Sequence, residues 1–223
     1  MTSSELAHFL RTAIDIQAPP FSGIHVADGV MAATDRVMLV AKKFDVVFLR
    51  GEGAISPKAA KVLEALAEGT WIGSIAVVGN RVTVTAQSTR YEENVGEVAS
   101  GYCEVKLPEF YCPRAPVARM LAALTDEQQG WVQVVENPRI KNVKEWSVKE
   151  FVALVDSPHG GYELFRLRDI DDEHWYSVAQ LRRGLRLFGA RARLSVRRNA
   201  KGWLAFEDGY GHTFAVTPFV KHN

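Results

Sequence analysis

Residues 23–43, GIHVADGVMAATDRVMLVAKK, decide how this chain can fold, because short apolar runs alternate there with turn-forming residues. Ile24 to Ala27 is rich in strand-forming residues, and Asp28-Gly29 is typical of a two-residue hairpin turn. Val30 to Thr34 and Val37 to Ala41 supply two further strand patterns. The stretch therefore predicts a hairpin that continues into a third strand, as in antiparallel sheet.

Helical patterns alternate with groups of strand patterns on both sides of this stretch. Ser56 suits the N-cap of a helix that starts at Pro57, and Ser177 and Gln180 form a capping box. Gly184 counts mildly against the helix that follows this box. Helices are predicted at residues 3–15, 56–69, 116–125 and 177–189. Further strands are predicted at residues 46–49, 75–78, 82–86, 102–107, 131–135, 192–197, 203–206 and 213–219.

The apolar stripes of two of these helices have defined ends. Val62, Leu63 and Leu66 are predicted to face the core in the helix that ends near Gly69. Gly189 is predicted as the C-cap of the last helix.

Both halves of the chain show one order of elements: helix, strands, helix, hairpin, strand. The second helix begins at Ser56 in one half and at Ser177 in the other, about 120 residues apart. Between the halves lies LPEFYCPRAP, whose three prolines are typical of a linker. The pattern predicts a duplicated α+β unit, with domains at residues 1–112 and 113–223.

Residues 139–168 fit this repeat poorly. Ser147 and Glu150 resemble a capping box and favour a short helix over residues 147–155. The unbroken apolar run from Phe151 to Val155 is equally compatible with a buried strand.

Composition points to an ordinary globular protein. Of the 223 residues, 47% are hydrophobic and 24% charged, and no apolar run approaches the length of a membrane helix. The first residues, MTSSELAHFLRTAIDIQ, have no basic region followed by an apolar core, so no secretory signal is predicted. Cys103 and Cys112 match no metal-binding spacing, and free thiols of a cytoplasmic protein are expected.

Three segments resemble DNA sliding clamps. Residues 23–43 are similar to the bacterial β-clamp segment in which an "ATD" strand leads into another apolar strand, although Arg36 stands where the family usually has glycine. The ending FEDGYGHTFAVTPFVKHN, residues 206–223, and the helix ISPKAAKVLEAL, residues 55–66, also resemble clamp segments. The resemblance implies two tandem clamp domains, each with two helices packed on antiparallel sheet, that assemble into a ring.

The same resemblance implies how the ring is built and what it does. Bacterial β clamps have three domains per chain and close as dimers, whereas this chain has room for two, so six domains require a homotrimer. A small clamp with bacterial likeness suggests a phage or mobile-element origin. The implied partners are double-stranded DNA, bound without sequence preference, a DNA polymerase and a clamp loader, with no cofactor.

In clamps the helices face DNA, which requires a cationic surface that avoids base-specific contacts. All four predicted helices carry lysine or arginine away from their apolar stripes, although such faces often meet only solvent. The candidate DNA-binding residues are Arg11, Lys58, Lys61, Arg114, Arg119, Arg182, Arg183 and Arg186. The strand arginines Arg191, Arg193 and Arg197 could face DNA, a neighbouring subunit or water.

Clamps also bind short peptide tails of their partners between two domains, near the C-terminal segment. The corresponding residues here are Tyr111 in the linker and Pro218, Phe219 and Val220 at the end of the chain. Exposed apolar residues suit such a pocket. Alternatively, Phe219 and Val220 finish a core strand.

Signs of catalysis are weak, and we do not expect an enzyme. The chain lacks nucleophile-elbow, HExxH and P-loop motifs. One dense polar cluster, residues 169–174 with sequence DIDDEH, could hold a metal, but such runs are usually solvated loops. Three hypotheses follow: a processivity clamp, a clamp-fold protein that does not encircle DNA but binds or modulates replication proteins, and an unrelated α+β enzyme that uses this loop.

Overall fold

A computed structural model describes residues 3–17, 23–91, 98–109, 117–133, 146–147, 164–165, 174–189 and 192–218. The chain forms two compact units. Unit 1 comprises Met1–Ala33 and Lys42–Ala115, and unit 2 comprises Thr34–Ala41 and Pro116–Asn223. The predicted boundary between residues 112 and 113 stays a prediction, because residues 110–116 lie outside the described residues. No sequence pattern indicates that residues 34–41 join unit 2.

Runs of largely antiparallel strands are separated by single helices, as is typical of the α+β class. In chain order they are α1 (Ser3–Ile16), β1 (Ile24–Ala27), β2 (Val30–Thr34), β3 (Met38–Lys43), β4 (Leu49–Ile55), α2 (Pro57–Gly69), β5 (Ile72–Gly79), β6 (Arg81–Tyr91), β7 (Val98–Lys106), α3 (Val117–Thr125), β8 (Val132–Gln133), β9 (Trp146–Ser147), β10 (Leu164–Phe165), β11 (Tyr176–Ser177), α4 (Val178–Leu185), β12 (Arg193–Arg198), β13 (Leu204–Glu207) and β14 (His212–Val216).

The sheet of unit 1 has the strand order β7-β6-β5-β4-β1-β2. The predicted hairpin is confirmed, since Ala27 pairs with Val30 and both Asp28 and Gly29 have positive φ. A second turn at Gly79-Asn80 joins β5 and β6, where Val78 pairs with Arg81 and Gly79 has positive φ. Local turn chemistry thus sets the strand register at both hairpins.

The strand predicted at residues 46–49 is wrong over most of its length, because Val46 to Phe48 form a turn. The Asp45 carboxylate accepts the Val47 N–H at 2.8 Å, and the Asp45 carbonyl accepts the Phe48 and Leu49 N–H groups at 2.9 Å. These hydrogen bonds override the strand preference of valine. Val46 and Val47 are consequently exposed.

The antiparallel sheet of unit 1 has one exception that the sequence did not predict: β4 and β5 pair in parallel, with Leu49 opposite Ile75. Helix α2 connects these strands, and a parallel pair requires such a crossover. The strands approach closely at Gly51, whose φ is 83° and where a Cβ would stand 2.0 Å from the Val77 carbonyl oxygen. Only glycine fits this conformation and this spacing.

Helices α1 and α2 pack against each other in unit 1. The helix predicted at residues 3–15 is confirmed, and its Leu6, Phe9 and Leu10 are fully buried. The predicted stripe of α2 is partly wrong, since Val62 is 40% exposed. The α2 residues that reach the core are Ala59, Ala60, Leu63 and Ala67.

The predicted N-cap of α2 is confirmed, because the Ser56 hydroxyl accepts the Ala59 N–H at 3.1 Å. We expect Ser56→Ala to lower the free energy of unfolding by about 1 kcal/mol, since a buried helix N–H loses its acceptor. Urea unfolding would measure this change, with Ser4→Ala at an exposed position of α1 as the control. Equal unfolding midpoints for the two variants would show that the cap is not stabilising.

Unit 2 contains the strand order β3-β14-β13-β12-β8, and β9 also pairs with β12. Strand β3 spans the division of the chain into units, with its first four residues in unit 2. The alternation predicted for β12 is confirmed, because Leu194 and Val196 are fully buried. Strands β10 and β11 form a separate pair.

Helix α4 contacts β14. Its predicted cap is confirmed, since the Ser177 hydroxyl accepts the Gln180 N–H at 3.4 Å. The helix ends at Leu185 with Arg186 as its C-cap, so the C-cap predicted at Gly189 is wrong. Gly184 permits the packing of α4, because a Cβ there would stand 2.1 Å from the Phe214 ring.

Two sequence-based questions fall outside the described residues: whether residues 148–155 form a helix or a strand, and where the acidic residues 169–173 lie. Within the described ranges, no three His, Cys, Asp or Glu side chains are grouped to hold a metal ion. No helix in those ranges is both long enough and apolar enough to cross a membrane.

Candidate nucleic-acid interface

Among the residues that the structure describes in unit 2, α4 and its C-cap carry a cluster of three arginines. Leu181 and Leu185 point into the core, which leaves the opposite side of the helix for arginine. Arg182 and Arg186 are exposed and lie four residues apart, on one helical face. Arg183 is half-buried beside them. Three guanidinium groups are therefore presented within two turns.

The other predicted lysines and arginines are spread over three helices. Arg119 is exposed on α3, and Lys58 and Lys61 are exposed on the first two turns of α2. Arg114 lies outside the described residues. Arg119, Lys58 and Lys61 thus lie at helix surfaces, as the sequence predicts. The role of these residues in binding DNA stays a prediction.

Arg11 of α1 differs from the rest because two carboxylates of α2 hold it. Its Nε donates a hydrogen bond to Glu64 Oε1 at 2.9 Å, and its Nη2 donates to Glu68 Oε1. The hydrogen bond that Arg11 donates to Glu64 and the negative charges of both carboxylates raise the pKa of Arg11 above its ordinary value. The guanidinium is thus always charged, and the two negative charges of Glu64 and Glu68 exceed its single positive charge.

The helices of the two units differ in their charge. Helices α1 and α2 together carry three cations, Arg11, Lys58 and Lys61, against four carboxylates. Those carboxylates belong to Glu5, Asp15, Glu64 and Glu68. Helix α3, helix α4 and the C-cap of α4 carry four arginines and no carboxylate. A polyanion would therefore find its attractive helical surface on unit 2.

Arg197 of β12 contacts other residues of unit 2. Its guanidinium lies over the Trp131 ring, 5.2 Å from the centroid, and pairs with Glu207 of β13. It also lies 3.5 Å from the Leu124 carbonyl oxygen at the end of α3. Of the strand arginines left open by the sequence, Arg197 therefore stabilises unit 2, Arg193 is exposed, and Arg191 lies outside the described residues.

Most of the predicted partner-binding residues lie outside the described residues. Pro218 is half-buried just after β14, whereas Tyr111, Phe219 and Val220 are not among the described residues. Their role therefore stays a prediction.

The sequence did not predict that Glu64 and Glu68 hold Arg11. The spacing of Glu64 and Glu68 is a partial signal, because residues four apart share one face of a helix and can bind the same cation. That signal does not identify the partner, since Arg11 lies more than fifty residues away on another helix.

No protein-family model matches this sequence, and no curated protein matches it. Solved structures do match. The DNA polymerase III β subunit of Eubacterium rectale matches with a TM-score of 0.59 and 9% identity, over 98% of this chain and 64% of the other. The DnaN sliding clamp of Bartonella birtlesii, solved with griselimycin, matches with a TM-score of 0.56 and 13% identity. That match covers 99% of this chain and 65% of the clamp.

A third match has nearly the length of this chain. The PCNA of A. fulgidus, solved with the C-terminal region of FEN-1, matches with a TM-score of 0.53 and 14% identity, over 100% of this chain and 98% of PCNA. This chain thus spans less than two thirds of the bacterial β subunits and nearly all of the PCNA. The predicted fold class is confirmed: the chain has the α+β fold of DNA sliding clamps.

Proposed function

We propose that this chain is a sliding clamp, a processivity factor that encircles duplex DNA and tethers a replicative polymerase. The observation that carries the proposal is the likeness to clamps over essentially the whole chain. Because identities of 9–14% establish the fold alone, the function also rests on charge. Four arginines without a carboxylate on α3, α4 and the C-cap of α4 suit a surface that attracts phosphates without reading bases.

The size of the chain and the edge of its sheet support assembly as a homotrimer. Two units per chain give six units in three chains, and the chain matches PCNA in length. Among the described strands, β7 pairs with β6 and forms one edge of the unit 1 sheet. An edge of nine residues can pair with a strand of another chain, which supports a ring closed through this edge.

Mass and topology in solution test the proposal together. Light scattering during size exclusion should give three times the 24.8 kDa of one chain. On nicked circular plasmid the protein should be retained, and cutting the circle should release it, because a ring slides off free ends. Equal retention on circular and linear DNA would contradict encirclement.

One observation favours a second function, that of a clamp-fold protein which binds or modulates replication proteins without encircling DNA. Helices α1 and α2 carry one more carboxylate than cations, which suits a DNA-lining surface poorly. A chain that stays monomeric at high concentration and has no affinity for DNA would favour this alternative.

We also propose that partner proteins, among them the polymerase and the clamp loader, dock peptide tails near Tyr111, Pro218, Phe219 and Val220. Pro218 ends the strand pattern after β14, and an apolar pair follows it before the polar terminus Lys221 to Asn223. Pro218 has no N–H with which to continue a strand, and the neighbouring aromatic side chain of Phe219 is of the type that anchors bound peptides.

Phe219→Ala should weaken binding of such a peptide about tenfold, because a buried aromatic anchor commonly contributes that much or more. Fluorescence anisotropy with the C-terminal region of FEN-1 as the labelled probe would measure this. Tyr210→Ala is the control, since Tyr210 is an aromatic residue 76% exposed in the β13–β14 turn. Loss of folding in Phe219→Ala would instead support the core-strand alternative.

A further inference from the structure

We infer that Glu64 and Glu68 of α2 occupy Arg11 and so prevent this residue from contributing to DNA affinity. The inference rests on the proposed clamp function. It gives unit 1 two carboxylates that weaken binding at one helical position. Arg11 thereby leaves the set of DNA-binding residues that the sequence indicates.

The geometry engages two sides of one guanidinium. Nε meets Glu64 at 2.9 Å, and Nη2 meets Glu68 one helical turn further along α2. The side chain of Glu64 is 20% exposed, so the packing of α1 against α2 holds this carboxylate in place. Arg11 and Glu68 are more than half exposed and line an open groove of about 510 Å³. A DNA phosphate could therefore reach the guanidinium, but two carboxylates already lie against it.

Charge, rather than the strength of the ion pairs, produces the effect. Exposed ion pairs are weak and would not by themselves keep Arg11 from a phosphate. Two negative charges beside one positive charge leave the site net negative, however, and both lie within a Debye length of anything that Arg11 could contact. The raised pKa keeps Arg11 charged, so proton loss plays no part in this balance.

The α-helices that the structure describes in unit 2 carry no such carboxylates. Arg182 and Arg186 face outward from α4, and neither α3 nor α4 contains Asp or Glu. Holding Arg11 away from phosphates lowers the total attraction of the chain for DNA. Weaker total attraction suits a protein that must move along DNA, because each phosphate contact adds to the free energy that sliding must overcome.

The test is a salt series of binding to a fluorescent 30-base-pair duplex. Glu64→Gln with Glu68→Gln should raise affinity about tenfold at 0.1 M salt and steepen the slope of log K against log salt by about 0.9, the value of one added phosphate contact. Adding Arg11→Ala should return the slope to the wild-type value. Arg11→Ala in the wild-type background should leave it unchanged.

A matched control comes from the same unit. Arg81 of β6 forms an exposed ion pair with Glu109 at 3.3 Å, away from the helices. Glu109→Gln releases an arginine in the same manner, and we expect the slope to stay unchanged. If the double glutamine variant does not fold, as judged by circular dichroism, Glu68→Gln gives the same test with a smaller gain.

The outcomes separate this inference from the proposed function. A slope unchanged by the glutamine variants, while loss of the α4 arginines lowers it, overturns the inference and leaves the clamp proposal standing. A slope that stays steeper than the wild-type slope after Arg11→Ala also overturns it, because the added phosphate contact would then not be made by Arg11. No DNA binding by the wild type even at low salt overturns the proposed function itself.

Discussion

Replacing Arg182, Arg183 and Arg186 with alanine is expected to weaken association with duplex DNA about 100- to 1000-fold at 0.1 M salt. Each phosphate contact contributes about 0.9 to the slope of log K against log salt, so the slope should fall by about 2.7 if all three arginines bind phosphate. The three substitutions remove only positive charge from α4, because this helix contains no carboxylate that repels DNA. Fluorescence anisotropy across a salt series measures both quantities.

Arg81→Ala is the control for this variant. Arg81 is an arginine of β6 whose side chain is 77% exposed, and it should change affinity less than twofold. An unchanged salt slope in the triple variant, with its thermal unfolding also unchanged, would refute the assignment of the α4 arginines to DNA. A smaller fall of about 1.8 would indicate that half-buried Arg183 does not reach a phosphate.

Gly184→Ala is expected to lower the free energy of unfolding by about 2–3 kcal/mol. A Cβ at this position would stand 2.1 to 2.4 Å from three carbon atoms of the Phe214 ring. That ring cannot withdraw freely, because it is fully buried and stacks on Phe206 at a centroid distance of 5.3 Å. Alanine favours a helix over glycine by about 1 kcal/mol, which offsets part of the clash.

Urea unfolding measures this effect, and Gly189→Ala is its control. No heavy atom lies within 4 Å of the position that a Cβ on Gly189 would take, so that variant should unfold within about 0.5 kcal/mol of the wild type. Phe214→Leu should partly rescue Gly184→Ala, because a smaller side chain makes room for the methyl group. Equal free energies of unfolding for the two alanine variants would mean that α4 can move away from β14 without loss of stability.

Local sequence determined the elements whose cause is local. Asp28-Gly29 sets a hairpin, and Ser56 and Ser177 cap helices, because turn and cap hydrogen bonds join residues a few positions apart. Leu194 and Val196 face the core because side chains alternate along any strand. The order of such elements along the chain predicted a duplicated α+β unit, and the resemblance of three segments to DNA sliding clamps then indicated the clamp fold.

Tertiary structure decided what depends on residues distant in the chain. The parallel pairing of β4 with β5 is one such feature, because it places Leu49 opposite Ile75, a residue on the far side of helix α2 in the sequence. Gly184 counts against a helix until Phe214 is packed on it. In each case the deciding neighbour is supplied by the packing, which one-dimensional spacing does not record.

The same division holds for the candidate site. The sequence placed Arg11, Lys58, Lys61, Arg119 and the α4 arginines on helix surfaces, because helical periodicity determines which face is polar. It could not tell which cations remain available to a phosphate. That depends on the packing of α1 on α2, which brings Glu64 and Glu68 to Arg11 across more than fifty residues, and an ion pair forms wherever the fold brings opposite charges together.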